Sequence, residues 1–167
     1  MRAAIAGLGL WLPDAVLDND AWPEGTARDG DRTLVDVPQP TDRFEAITRR
    51  HLARDAADPF FGARQRRVAE RAAAWEAEAE AGRAALADAG VDPGALDAVL
   101  SWSIVTDRPL LPTATKVAHA LGATRAWGAG LDAGCASAIT GLDVAAGLIE
   151  SGRARHVLLT QSHLITR

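Results

Sequence analysis

Apolar residues fall in alternating short and long blocks along this chain, and the block lengths predict the elements. Ala3 to Leu12 is a short apolar run ended by Pro13-Asp14, which predicts a first core strand. A longer pattern from about Ala69 to Ala89 puts Trp75, Ala79, Ala85 and Leu86 on one stripe, with acids and arginines elsewhere, and stops at Gly90. This predicts an amphipathic helix, with the alternating acids between Trp75 and Ala81 on its solvated face. Leu96 to Thr106 is a buried strand, and a short helix opens at Pro112-Thr113 and closes at Gly122. A strand from about Trp127 to Asp132, a helix from Cys135 to Ile149 and a last strand from about His156 to Gln161 follow. Strands alternating with helices predict an α/β domain with a mainly parallel sheet.

Two segments depart from this rhythm. Asp18 to Pro59 is rich in Asp, Arg, Pro and Gly, with one amphipathic piece around Phe44, Ile47, His51 and Leu52, and is read as a variable insertion at about 18–59. The helix after Cys135 carries a single charge before Glu150, Asp143, and is apolar on every side, so it is expected in the core.

Cys135 is the only cysteine. At the start of a helix, unpaired backbone N–H groups and the positive dipole end would favour the thiolate, the reactive form, and Ala133, Gly134 and Ala136 leave the sulfur room. A lone cysteine also fits a small inert core residue, and these residues alone leave both readings open. Gly128-Ala129-Gly130-Leu131-Asp132-Ala133 matches the glycine pattern of a dinucleotide-binding turn. The preceding stretch, Ala123 to Trp127, is short for the required strand and contains Arg125, so the context disfavours a nucleotide.

Charge and composition narrow the function classes. A net charge of -4 over 167 residues, with arginines interleaved among carboxylates, gives no basic stripe for nucleic acid. The four histidines are scattered and one cysteine makes neither an internal disulfide nor a zinc site, so no metal or cofactor is expected and a reducing, cytoplasmic compartment is. Arg2 is a single positive charge before an apolar run that lacks a cleavage site, unlike a signal peptide, and no stretch reaches the about 18 apolar residues of a membrane span.

Four stretches together resemble the amino-terminal half of a β-ketoacyl-acyl-carrier-protein synthase III, a thiolase-fold condensing enzyme. They are Leu12-Pro13 through Asn19; Phe61-Gly62-Ala63-Arg64-Gln65-Arg66-Arg67-Val68-Ala69; Ala84 through Pro93 with the strand to Thr106; and Asp132-Ala133-Gly134-Cys135-Ala136-Ser137 through Gly152. From Arg64 to Arg167 the resemblance is almost continuous. It implies a thiolase-like half-domain over 1–167, with a mixed, mainly parallel sheet and a buried helix opened by the nucleophile. Cys135 would be the acylated nucleophile, and its backbone N–H one oxyanion donor.

The resemblance further implies that Leu111 caps the acyl pocket of a partner subunit and that Ile165 lines the pocket, although both residues also fit an ordinary core. Arg64, Arg66 and Arg67 either face the phosphates of CoA or a carrier, or form a solvated basic face. The family's catalytic His and Asn belong to a carboxy-terminal half that lies outside this chain, and His163 stands where the family has an acid. Ala56 and Phe60 stand near the place of a tryptophan that flanks the CoA adenine, which favours a carrier-protein donor. The expected partners are therefore acyl-CoA or acyl-carrier protein, the carboxy-terminal half of the same fold, and a second copy of the complete unit. Condensation with a malonyl-type acceptor is the leading reading. Acyl transfer to oxygen or nitrogen, and a non-catalytic subunit of a thiolase-fold heteromer, are the alternatives. Half of such a fold would leave a broad apolar face of its central helices open.

Overall fold

The computed structural model describes residues 2–21, 43, 45–47, 50, 62–108 and 110–164. These form two compact units, Asp14–Val68 and the remainder of the chain. In the first unit, β1 (Val16–Asp18) pairs antiparallel with β2 (Gln65–Arg67). Arg66 donates to Asn19 Oδ1 at 2.8 Å, and Asn19 Nδ2 donates to the Ala63 carbonyl at 2.9 Å, so these polar side chains tie the two ends of the unit together. Most of the expected insertion lies outside the described residues, as do Phe44, His51, Leu52, Ala56 and Phe60.

The larger unit is built on a parallel sheet of three strands in the order β4 (Trp127–Gly130), β3 (Ala98–Ser103), β5 (Val157–Ser162). On one face lie α1 (Ala74–Ala89) and α2 (Thr113–Leu121). Ala79, Leu86, Val99, Val117, Leu121 and Leu158 close the core between them, and full burial of each Val or Leu contributes about 1.5–3 kcal/mol. α2 ends where expected, because Gly122 takes the left-handed conformation (φ 78°) that caps the helix with N–H bonds to Ala118 and His119. α1 begins five residues later than the apolar pattern suggested. Asp107 accepts the N–H groups of Ala74 and Trp75 at 2.9 and 3.1 Å, and Glu76 accepts that of Ala73 at 2.9 Å, so the first-turn donors are satisfied there.

The solvated face assigned to the α1 acids holds for Glu76 and Glu80 but not for Glu78. Its carboxylate is 1% exposed and accepts four hydroxyl hydrogen bonds, from Ser101 and Thr160 at Oε2 and from Ser103 and Ser162 at Oε1, all 2.6–2.8 Å. Glu78 falls on the inward stripe with Trp75, Ala79 and Gly82, and the hydroxyls alternate along β3 and β5 on the face toward α1. The buried charge is therefore stabilised by four donors in place of a cation.

Two other expectations are corrected. Residues 2–13 run extended beside α1 but form no strand, because no neighbouring strand pairs with them among the described residues. Their N–H groups turn to side chains, Ala3 to Glu150 and Leu8 to Asp88. A Cβ on Gly7 or Gly9 would overlap the backbone of Ala81, Ala85 and Ala89, so these glycines set the close approach to α1. The helix after the cysteine, α3 (Ser137–Glu150), lies on the opposite face of the sheet and is not buried in this chain. Only Ser137 and Gly141 are fully covered, the latter against Leu159, while Ile139 is 71% and Leu142 42% exposed. Its apolar composition suits a fully enclosed helix, and the described residues cover only the side facing β5.

Candidate active site

Two of the three connections that leave the carboxyl ends of strands in the parallel sheet carry candidate site residues among the described residues. This is the edge at which open α/β sheets place their functional groups. The β3–α2 connection carries Leu111, the β4–α3 connection carries Cys135, and His163 follows β5. Ile165, two residues further on, lies outside the described residues.

Cys135 is exposed and sits in a 3-10 turn, Gly134–Ala136, that leads directly into α3 at Ser137. The turn is stapled from both sides. On one, Asp132 Oδ1 accepts the indole N–H of Trp102 and the N–H of Gly134, each at 3.0 Å. On the other, the buried Ser137 hydroxyl accepts the Ala133 N–H at 2.9 Å and donates to the Gly134 carbonyl at 2.8 Å. Gly134 at φ 56° supplies the left-handed residue that this reversal needs. Among the described residues nothing accepts the Cys135 N–H, and the residue as a whole is exposed.

Ser137 and Trp102 were not singled out from the sequence. A serine at a helix start is a capping signal, and Ser137 uses it backwards, to hold the turn that carries the cysteine. Trp102 carried no local signal, because its partnership with Asp132 depends on the β3–β4 pairing.

Leu111 is 56% exposed, next to a fully exposed Leu110 held at φ 70°. A leucine at positive φ is uncommon, and this one marks an apolar loop that the described residues leave exposed. Arg64 and Arg67 are exposed, while Arg66 is engaged with Asn19. The glycine pattern at 128–133 does not form a phosphate-binding turn. Gly128 and Gly130 lie inside β4, and a Cβ at Gly128 would meet the start of α2 at 3.0–3.1 Å, so close packing explains that glycine. Among the described residues no three His, Cys, Asp or Glu side chains are grouped to hold a metal ion, and no helix is long and apolar enough to cross a membrane.

A sheet of this order, with an exposed cysteine in the turn that leads from β4 into the following helix, has the architecture of the amino-terminal half of a thiolase-type fold. The family described as 3-oxoacyl-[acyl-carrier-protein] synthase III matches residues 130–167, the stretch that includes Cys135. The β-ketoacyl-[acyl-carrier-protein] synthase III of Cereibacter sphaeroides is 30% identical over 171 residues, covering 100% of this chain and 45% of the relative. That of Streptomyces lividans is 38% identical over 106 residues, covering 63% of this chain and 31% of the relative. The priming β-ketosynthase of the R1128 polyketide pathway superposes with a TM-score of 0.73 at 28% identity, over 99% of this chain and 43% of its own. The chain is thus synthase III-like, corresponds to the amino-terminal half of that fold, and spans less than half the length of these relatives.

Proposed function

We propose that this chain is the nucleophile-bearing half of an acyl-thioester condensing enzyme of fatty-acid or specialised biosynthesis. Cys135 takes an acyl group from acyl-CoA or an acyl-carrier protein: a new bond forms between its sulfur and the acyl carbon, the donor's carbon–sulfur bond breaks, and the donor thiol leaves with the proton. The unpartnered Cys135 N–H is one donor to the oxyanion formed in that step. A malonyl-type thioester then loses carbon dioxide, its carbanion attacks the acyl carbon, and the Cys135 thiolate is released. Leu111, and Ile165 by its place in the sequence, belong to the walls of the acyl pocket. The carboxy-terminal half supplies the remaining catalytic groups, and the complete unit works as a homodimer in the cytoplasm with no metal or bound cofactor.

The observation that carries this reading is an exposed thiol whose backbone N–H has no acceptor among the described residues, on a turn stapled by Asp132 and Ser137. Intact-mass measurement after incubating the assembled protein with acyl-CoA and acyl-carrier donors tests it. An acyl adduct is expected on the native chain and not on Cys135→Ala. An assembled protein that never gains the acyl mass refutes it, and leaves the non-catalytic subunit standing. Product analysis with malonyl thioester against amine and alcohol acceptors separates condensation from simple acyl transfer.

A further inference from the structure

Trp102 stands on a stretch of β3 that is clamped from behind. Its neighbours Ser101 and Ser103 turn their hydroxyls to Glu78 on the α1 side, each at 2.6 Å, so the Trp102 side chain projects from the other face of the sheet, the one that carries α3. On the adjoining strand the Leu131 N–H donates to the Ser101 carbonyl at 2.9 Å, which brings Asp132 alongside the indole. Asp132 Oδ1 then accepts two donors at 3.0 Å, the Trp102 Nε1–H from another strand and the Gly134 N–H from two residues on. Gly134 is thereby pinned at both ends, because its carbonyl accepts the Ser137 hydroxyl at 2.8 Å. That carbonyl shares a rigid trans peptide plane with the Cys135 N–H, which points the opposite way. Holding both sides of Gly134, a residue with the most backbone freedom to lose, therefore fixes the direction of the Cys135 N–H, which meets no acceptor among the described residues.

We propose that Trp102 is a positioning residue for acyl transfer at Cys135, acting through Asp132 and Gly134 on the direction of the Cys135 N–H. The proposal rests on the reading of Cys135 as the acylated nucleophile. In that step the acyl carbonyl oxygen gains negative charge as the Cys135 sulfur bonds to the acyl carbon, and gives it up as the donor's carbon–sulfur bond breaks and the donor thiol departs. A backbone N–H already aimed at that oxygen stabilises the charge without reorganising at the moment of reaction. Ser137 holds only the carbonyl side of Gly134. The N–H side depends on Asp132, an exposed carboxylate that the indole ties to the sheet. A tryptophan that served only to fill space would act through its ring, whereas here its N–H is spent on a charged acceptor two residues before Gly134.

Single-turnover acylation of the assembled protein, followed by intact mass with acetyl-, butyryl- and octanoyl-CoA and the matching acyl-carrier proteins, tests the proposal. Alkylation of Cys135 by iodoacetamide, which forms no oxyanion, runs beside it. Trp102→Phe keeps a ring and removes the N–H; it is expected to slow acylation at saturating donor about tenfold, with the half-saturating donor concentration and the alkylation rate each within about twofold of native. Asp132→Ala is expected to slow acylation to a similar degree, whereas Asp132→Asn, whose amide oxygen still accepts both N–H groups, keeps most of the rate. On the Asp132→Ala background Trp102→Phe is expected to add no further slowing, since both changes break one linkage. Acylation of Trp102→Phe at the native rate, equal slowing of its alkylation, or slowing that adds to that of Asp132→Ala overturns the proposal. Should Trp102→Phe fail to assemble, the two variants of exposed Asp132 decide alone, and equal acylation rates in Asp132→Ala and Asp132→Asn overturn it. A native chain that none of these donors acylates sinks the catalytic reading and this proposal with it, while native acylation with an unaffected Trp102→Phe sinks the bracing alone.

Discussion

Replacing Glu78 by alanine removes the acceptor from four buried hydroxyls at once. Hydrogen bonds to a charged group contribute about 1.5–3 kcal/mol each, so four of them at 2.6–2.8 Å give a gross loss of roughly 6–12 kcal/mol. Against this, deletion returns the several kcal/mol spent in taking the carboxylate out of water, and the orphaned hydroxyls can turn to one another. A net destabilisation of about 3–5 kcal/mol is expected, in line with breaking one side of a buried polar network. Glu78→Gln keeps the shape and one acceptor oxygen, and hydroxyls can rotate to accept from the new amide, so about 1–2 kcal/mol is expected. Urea unfolding followed by tryptophan fluorescence reads this directly. With a slope of about 2 kcal/mol per molar urea, the alanine variant's midpoint falls by roughly 2 M. The coupling between Glu78→Ala and Ser101→Ala should exceed about 0.5 kcal/mol in a double-mutant cycle, since both report one network. An alanine variant as stable as the native chain would refute the view that the hydroxyls hold the buried charge in place.

Ser137→Ala loses both side-chain bonds that brace the cysteine turn, so unfolding free energy should fall by about 1–3 kcal/mol, and acylation of Cys135 should slow in the mass assay while Ser137→Thr retains much of the rate. The N–H groups of Arg155 and His156, at 2.7 and 3.1 Å, hold the Asp97 carboxyl below its ordinary value of 3.8. The folded chain thus binds this proton less readily than the unfolded one, and the stabilisation is full above that value and is lost as pH falls through the lowered one. The stability difference between the native chain and Asp97→Asn should accordingly be constant from neutrality to mild acid and shrink below about pH 4 in pH-dependent urea titrations, and a difference that persists undiminished in stronger acid would contradict it. Gly141→Val sets a side chain against Leu159 Cδ1, 2.6 Å from where its Cβ would stand, and should cost about 1–3 kcal/mol by thermal or urea unfolding.

Periodicity and turn chemistry alone were enough to place the strand–helix alternation, the parallel sheet and the end of α2 at Gly122, because those are local properties of consecutive residues. The same holds for Cys135 opening a helix after a strand. Its setting in a neighbouring 3-10 turn, braced by Trp102 from another strand, needed the β3–β4 pairing. Glu78 was within reach of the helical spacing, which puts it on the inward stripe, but a carboxylate there looks wrong until hydroxyls on two strands are seen to converge on it. Local pattern cannot bring Ser101 and Thr160, far apart in the chain, to one carboxylate oxygen.

For the first segment and for α3, apolar composition predicted burial correctly as a tendency and wrongly as a fact about this chain. Composition records what an element is built to meet, and burial depends on whether the partner is there. By itself the sequence determined the order of elements from α1 onward, the lone nucleophile candidate and the synthase III-like pattern around it. Only the tertiary structure decided which acid is buried, how the cysteine turn is held, and that segment 3–9 and β5 line one cavity, because each depends on backbone edges and side chains brought together from distant parts of the chain.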